Sequence, residues 1–400
     1  MLGEVRLVDS KYDALLNSIG LRQIDIDLYE QEGVKLYGAP FSAFCKARMN
    51  NRTPKYLQRL KQSALPLSLY ISSFFYRERM LKLLSYLDGI DSNNIRTVVE
   101  LGCENGALAC AIAKLWPNVN VIGVDLGKNS INCANELKKN LGIQNASFVC
   151  ADAQDYLKSV ESGSLDLIVS ACFLREFEID RADTQVVIFE KFEDIEEIKP
   201  TVRQAGLIEF FRDVASSLGD YGLFLSLDRL PSMSDYWRFI QCVEQAGFMT
   251  RLTDSGRIDV QTAEDREILP LFVFEKNQSS LATTASELVS FTARASIKDQ
   301  LGEVNEYLTD AIYRSIKVNE ILFRASCSYY DGSGTLMIEL IKAEAILMFR
   351  ESTNRGYRAS RFFSLDEVQA AMNVIHERIC DLKYNCDVTV VVGEWSDDYE

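Results

Sequence analysis

The architecture of this chain can be read from one stretch, Val98-Val99-Glu100-Leu101-Gly102-Cys103-Glu104-Asn105-Gly106-Ala107-Leu108-Ala109. A β-branched strand, Thr97–Leu101, leads into a glycine turn, and a helix of small residues begins at Ala107. Because glycine has no Cβ, this order lets backbone N–H groups approach a ligand closely. A second strand, Val119–Val124, is followed by Asp125, where a carboxylate can accept both hydroxyls of a ribose. The pattern predicts a nucleoside-binding βαβ unit.

The same residues resemble motif I of the class I S-adenosylmethionine-dependent methyltransferases, Asp/Glu-x-Gly-x-Gly-x-Gly, and the acidic position that follows it. The resemblance covers about residues 90–277 and implies that the cofactor is S-adenosyl-L-methionine. It implies that the cofactor is contacted by the glycine turn and by the end of the second strand, through Glu100, Gly102, Cys103, Gly106, Asp125 and Leu126.

One residue departs from the family pattern, because Glu104 stands where the family has its middle glycine. The pyrophosphate of a dinucleotide would lie on those glycines, so an acid there argues against a dinucleotide. A positive sulfonium is not repelled by a carboxylate, and Glu104 is therefore tolerable for S-adenosylmethionine. The same departure is also compatible with a copy of the fold that binds no cofactor.

Two later stretches carry weaker parts of the resemblance. Residues Phe148–Ala153 resemble motif II, whose acid meets the adenine amino group, which implies adenine contacts from Asp152 and Ala153. Residues Leu165–Ser170 resemble motif IV, the strand whose end faces the methyl group, which implies that Ser170 lies beside the cofactor.

Strands and helices alternate with short connections, which predicts an α/β fold with a doubly wound parallel sheet. A seven-stranded Rossmann-like sheet with a late antiparallel hairpin is what the resemblance implies. We expect three regions: a helical lid or packing region at 1–90, the methyltransferase domain at 91–277 and an α+β accessory domain at 278–400. In the last region the pattern predicts helix over Leu281–Ser326, strands Thr335–Ile341 and Ala345–Arg350, a helix opened by a capping box at Ser364, and a final strand Val388–Val392.

Histidine chemistry is not available to the predicted methyltransferase domain, because the only histidine, His376, lies in the C-terminal region. The remaining catalytic strategies are methyl transfer by alignment of the reactants, or the use of a carboxylate or tyrosine as the general base. Glu176 follows the fourth strand and is the carboxylate best placed to face the methyl group, unless it is a solvated helix residue. We expect no metal site.

Composition excludes several classes of partner. The 400 residues carry a net charge of −15, which opposes affinity for nucleic acid and for anionic membranes. The ten cysteines form no CxxC pair, and the sequence shows neither a long apolar run nor a signal-peptide pattern at its start. These features predict a cytoplasmic protein with reduced thiols. A run of cations with no acid between them is interpreted as a solvated helix face, and it comprises Lys46, Arg48, Arg52, Lys55, Arg59 and Lys61.

The main hypothesis is metal-independent O- or N-methylation of a small molecule. A first alternative is a protein or peptide methyltransferase that holds its target with residues 278–400. A second is a catalytically silent methyltransferase fold that serves as a binding partner. We also expect residues 278–400 to mediate dimerisation or to bind a protein partner.

Overall fold

The computed structural model describes residues 11–50, 53–174, 202–228, 239–240, 242–252, 254–261, 266–276, 318–343, 346–353 and 358–392. These residues form two compact units. The first contains the described residues up to 228 and from 242 to 276, and the second contains 239–240 and 318–392. The N-terminal helices therefore share a unit with the central sheet, while the domain boundaries expected at 90 and 277 stay predictions.

Six helices precede the sheet: α1 (residues 11–18), α2 (Tyr29–Tyr37), α3 (Ala39–Met49), α4 (Pro54–Lys61), α5 (Leu65–Phe75) and α6 (Arg77–Asp88). They contribute to two apolar clusters. Leu16, Leu84 and Leu87 pack into the core that also contains strand residues such as Val98 and Val121. An aromatic cluster of α2, α3 and α5 contains Tyr29, Phe41, Phe44 and Tyr70.

The first sheet is mixed and mostly parallel. Its strands are β1 (Thr97–Leu101), β2 (Asn120–Asp125), β3 (Ala146–Cys150), β4 (Leu165–Ala171), β5 (Leu218–Leu227), β6 (Phe248–Thr250), β7 (Gly256–Gln261) and β8 (Arg266–Lys276). The order is β3-β2-β1-β4-β5-β8-β6, with β7 also paired to β8. Strands β1 to β5 are parallel, whereas β8 is antiparallel to β5. The predicted doubly wound α/β fold is confirmed.

The sheet contains eight strands but is only seven strands wide. Strand β5 pairs with residues 271–275 of β8, while β6 pairs with 274–276 and β7 with 266–271. Because each residue of β8 has two edges and β5 takes one of them, β6 and β7 must share the other. Strand β6 therefore ends at Thr250, and β7 begins at Gly256.

Among the described residues, the parallel strands are connected by helices α7 (Ala107–Leu115), α8 (Lys128–Leu141), α9 (Ala153–Ser159) and α10 (Val202–Ser217). The chain moves outward from β1 to β3 through α7 and α8, and then returns to β4 and β5 through α9 and α10. Right-handed crossovers place the two pairs of helices on opposite faces of the sheet. Strand β5 contains residues 219–222, and a register shift against β4 between Leu165 and Leu167 accommodates them.

The described part of the second unit contains a five-stranded antiparallel sheet of order β12-β11-β10-β9-β13 and helix α11 (Val368–Lys383). Its strands are β9 (Val318–Tyr329), β10 (Thr335–Ala343), β11 (Ile346–Thr353), β12 (Arg358–Ser364) and β13 (Cys386–Val392). The expected α+β character is confirmed.

Two local expectations for the second unit are wrong. The helix predicted over Leu281–Ser326 is a strand from Val318 onward, where Phe323, Ala325 and Cys327 alternate into the core with the period of two that defines a strand. Helix α11 starts with Glu367 as N-cap and has no side-chain cap bond, so the capping box does not form. Among the described residues, no helix is both long and apolar enough to cross a membrane.

Candidate cofactor site

The carboxyl ends of four parallel strands bring most of the predicted residues to one edge of the sheet. Gly102 follows β1, Asp125 ends β2, Asp152 follows β3, and Ser170 lies near the end of β4. The direction of winding reverses between β1 and β4, which makes this edge a topological switch point. Ligands of open α/β sheets bind at such points.

The glycine turn after β1 is anchored to β2 through its backbone. The N–H groups of Gly102 and Cys103 both donate to the carbonyl oxygen of Val124, at 2.8 and 3.0 Å, and Gly106 N–H donates to Cys103. Cys103 is buried, and burial raises the pKa of its thiol well above the ordinary value. The turn is thus held in place by the sheet itself.

The two glycines of the turn have a packing role that the sequence did not reveal. Both have φ of +73°, which favours glycine. A Cβ at Gly106 would lie 2.7 Å from the side chains of Ala134 and Phe148, and one at Gly102 would lie 2.6 Å from Phe173. The missing Cβ atoms make room for the protein's own side chains, and the predicted close approach to a ligand stays a prediction.

Asp125 fastens the turn from the side of β2. Its carboxylate accepts the N–H of Glu104 at 2.9 Å and the N–H of Gly127 at 2.7 Å. Burial raises its pKa above the ordinary value, although these two bonds oppose the shift. The carboxylate has about four lone-pair sites, and the two N–H groups together with the Ser130 hydroxyl leave capacity to accept a hydroxyl from a ligand.

Glu100 is a buried carboxyl with an unused oxygen. Its side chain is 4% exposed, and its Oε2 atom has no hydrogen-bond partner in the part of the chain that the structure describes. The pKa of Glu100 is raised to about 8, mainly by burial and to a smaller extent by the negative charges of Glu104 and Asp125, while a bond from the backbone of Ala109 opposes the rise. A cationic ligand at this point would find three carboxyl groups near it.

Glu104, the residue that departs from the family pattern, has φ of +47°, an unusual value for a residue other than glycine. Its carboxylate forms an ion pair with Lys61, whose side chain is 3% exposed while that of Glu104 is 26% exposed. The Lys61 ammonium also lies 4.2 Å from the centroid of the Tyr76 ring. The interpretation of the basic run as a solvated helix face is therefore wrong for Lys61.

Asn105 is a site residue that sequence reasoning missed. It is buried, and its amide donates to the hydroxyls of Ser68 at 2.9 Å and Ser72 at 3.0 Å, both on α5. Its oxygen accepts the N–H of Ala107 at 3.2 Å, at the start of α7. An asparagine just before a helix is a typical capping residue, and this was the signal available in the sequence.

At the end of β3, Asp152 is the N-cap of α9 and accepts the N–H groups of Gln154 at 2.9 Å and Asp155 at 3.2 Å. Ala153 is buried, and Leu126, after β2, is exposed. Capping explains why an acid follows this strand, and the predicted adenine contacts of Asp152 and Ala153 stay predictions.

The end of β4 is organised by Asp228, a second residue that the sequence did not single out. Ser170 is fully buried, and its hydroxyl donates to Asp228 at 3.2 Å, as does that of Ser226 at 3.0 Å. The other oxygen of Asp228 accepts the N–H of Leu174 at 3.1 Å. Ser170 thus supports the turn after β4. The proposed base, Glu176, lies outside the described residues.

Within the described residues, no group of three or more His, Cys, Asp or Glu side chains is arranged to hold a metal ion.

Comparison with known proteins agrees with this geometry. Residues 92–202 match the family described as Methyltransferase domain. A segment of 77 residues is 34% identical to the malonyl-[acyl-carrier protein] O-methyltransferase of Paenibacillus sp. (strain JDR-2), covering 19% of this chain and 28% of that protein. A segment of 99 residues is 30% identical to an uncharacterized protein of Mycoplasma pneumoniae, covering 24% and 21%. The chain therefore spans less than a third of the length of either relative.

Among solved structures, a SAM dependent methyltransferase from Aquifex aeolicus is similar to this chain at 15% identity, with a TM-score of 0.32, covering 59% of this chain and 98% of that one. The similarity to the methyltransferase-domain family lies in residues 92–202. The family match includes neither the N-terminal helices nor the second sheet.

Proposed function

We propose that this chain catalyses S-adenosylmethionine-dependent methyl transfer to a small-molecule acceptor, at oxygen or nitrogen and without a metal. One observation carries the proposal: a glycine turn at the switch point of the sheet is surrounded by three carboxyl groups, those of Glu100, Glu104 and Asp125.

The charge of this turn discriminates between nucleoside ligands. Like charges close together cost energy, and the cost grows where water is excluded. A pyrophosphate would add negative charge beside Asp125 and the ion-paired Glu104, and would hold Glu100 in its protonated form. The sulfonium and ammonium groups of S-adenosylmethionine would instead favour the ionised form of Glu100. The unpartnered Oε2 of buried Glu100 supports the same choice, because a buried acceptor gains from a cationic donor.

The residues have separate roles in this proposal. Asp125 accepts the ribose hydroxyls, Asp152 and Ala153 hold the adenine, and Ser170 supports the wall that faces the methyl group. The bound cofactor supplies an activated methyl group. The protein contributes chiefly by aligning the acceptor, since alignment alone can supply a large part of a rate enhancement. Glu176 orients or deprotonates the acceptor.

The acceptor, partner and location belong to the same proposal. The name of the Paenibacillus relative describes an acceptor carried by a protein, but only 28% of that relative is matched, so its acceptor is not transferred here. We propose that residues 278–400 mediate dimerisation or hold a protein partner, and that the protein is cytoplasmic and binds neither nucleic acid nor membranes.

Calorimetry on the full chain tests the donor. S-Adenosylhomocysteine and S-adenosylmethionine should bind, and NAD should not. Asp125→Asn should weaken binding by about ten- to a hundredfold, since it removes charge-assisted bonds of about 1.5–3 kcal/mol. Asp220→Asn is the matched control, because Asp220 is exposed near the start of β5, away from the site edge. Absence of heat with both adenosyl ligands would reject the enzyme and favour the silent binding partner.

A further inference from the structure

A cavity of about 320 Å³ lies among the N-terminal helices of the first unit. Its walls come from α2, α3, α5 and the residues just before α2. Four of the ten lining residues are aromatic: Tyr29, Phe44, Phe74 and Phe75. This volume is at the lower end of the range for small-molecule sites, which are mostly apolar with a few polar groups. The cavity is therefore large enough for a single ring system with short substituents.

One polar group of the lining residues is the hydroxyl of Tyr29, which is buried. The side chain is 5% exposed, and its oxygen has no hydrogen-bond partner among the described residues. The ring is fixed by stacking on Phe74, with centroids 3.7 Å apart, and on Tyr70, at 5.4 Å. Burying a hydroxyl without a partner is costly, and a ligand that bonds to it would recover that cost.

The cavity lies close to the glycine turn because α5 reaches both. Ser72 of α5 binds Asn105 in the turn, and Phe75 follows Ser72 by three residues. Residues three apart lie on the same helix face, and three residues rise about 4.5 Å. Helix α5 therefore contributes residues both to the cavity and to the bonds that hold the glycine turn.

The charged residues that line the cavity favour some ligand charges over others. Asp27 and Glu30 are exposed acids in its lining, and Arg48 is the cation. The Arg48 guanidinium lies over the Phe75 ring at 4.4 Å, so its charge is already used in a cation–π contact. Two acids against one engaged cation disfavour an anionic ligand.

We propose that this cavity binds a neutral or cationic aromatic small molecule whose hydroxyl or amine group bonds to the Tyr29 hydroxyl. The claim that this molecule is the methyl acceptor rests on the proposed function. Binding of the ring itself does not depend on it.

The test uses saturation-transfer NMR on the full chain without donor. Phenol and tyramine should bind, and 4-hydroxyphenylacetate, with the same ring and a negative charge, should bind at least several-fold more weakly. Cyclohexanol should also bind more weakly, because it cannot stack. Equal binding of all four probes, or binding of none, would overturn the proposal.

Tyr29→Phe tests the hydroxyl. It should weaken phenol binding about three- to tenfold, the value of one hydrogen bond, and leave toluene binding unchanged. The variant keeps the stacked ring and removes only an unpartnered group, so it should fold. Tyr221→Phe is the matched control, since that side chain is 92% exposed in the same unit. Equal phenol affinity in Tyr29→Phe and the wild type would overturn the assignment.

The two proposals can fail separately. Phenol binding without S-adenosylhomocysteine binding upholds the cavity and rejects methyl transfer. Binding of S-adenosylhomocysteine without any probe upholds the donor site and rejects the cavity.

Discussion

Lys61 and Glu104 form an ion pair between the last residue of α4 and the middle of the glycine turn. The two charges are unequally buried, at 3% and 26% exposure. The ammonium is therefore almost wholly dependent on its protein partners, whereas the carboxylate keeps part of its water. This pair ties an N-terminal helix to the turn at the position where the family has glycine.

The unequal burial predicts unequal mutational effects. Glu104→Gln leaves a buried ammonium without its counter-charge and should lower the free energy of unfolding by about 3 kcal/mol. Lys61→Met leaves a partly hydrated carboxylate and should cost only about 1 kcal/mol. Urea denaturation of both single variants and the double variant measures the coupling. A larger loss in Lys61→Met than in Glu104→Gln would contradict this account.

The raised pKa of Glu100 predicts a pH dependence of stability. Between the ordinary value of 4.5 and about 8, the folded state keeps a proton that the unfolded state releases. Stability should therefore be greatest below pH 4.5 with respect to this group and fall as pH rises to about 8. Glu100→Gln should flatten this slope in urea denaturation from pH 5 to 8.5. Glu209→Gln, at an exposed carboxylate in the same unit, should leave it unchanged.

Asp228 should matter for stability as well as for binding. Asp228→Ala leaves the donors of Ser170, Ser226 and Leu174 without their acceptor and should cost about 3 kcal/mol or more. Since the turn after β4 loses its anchor, affinity for S-adenosylhomocysteine should fall too. Ser226→Ala removes one of the three bonds and should cost about 1 kcal/mol. Denaturation and calorimetry on both variants check this, and equal effects of the two would be the contrary result.

Gly106→Ala should destabilise the fold even without a ligand. The new Cβ meets Ala134 and Phe148, and overpacking adds about 1–3 kcal/mol to the cost of a left-handed backbone. Gly142→Ala is the matched control, because Gly142 has φ of +65° and no atom within 4 Å of its Cβ position. The control should lose only about 1 kcal/mol. Equal losses in thermal or urea unfolding would show that packing at Gly106 is unimportant.

Elements whose signals are local could be predicted from the sequence. Strand Thr97–Leu101 has the predicted bounds, and the helix after the glycine turn begins at Ala107 as predicted, because a β-branched run and a glycine turn act on neighbouring residues. The resemblance of the glycine turn added the family and the strand order, which periodicity does not provide.

The burial of polar groups and the identity of their hydrogen-bond and ion-pair partners depend on the tertiary structure. No local sequence feature distinguishes Lys61 from the other cations of its run. Its burial depends on Glu104, which is distant along the chain. Glu100, Asn105 and Asp228 likewise owe their environment to other strands and helices. The sequence predicts helix for the first part of β9, because the alternation of apolar and polar residues in this strand comes at the end of a longer helical pattern. The physical reason is common to these cases: desolvation and hydrogen bonding depend on neighbours in space, and a local pattern does not specify them.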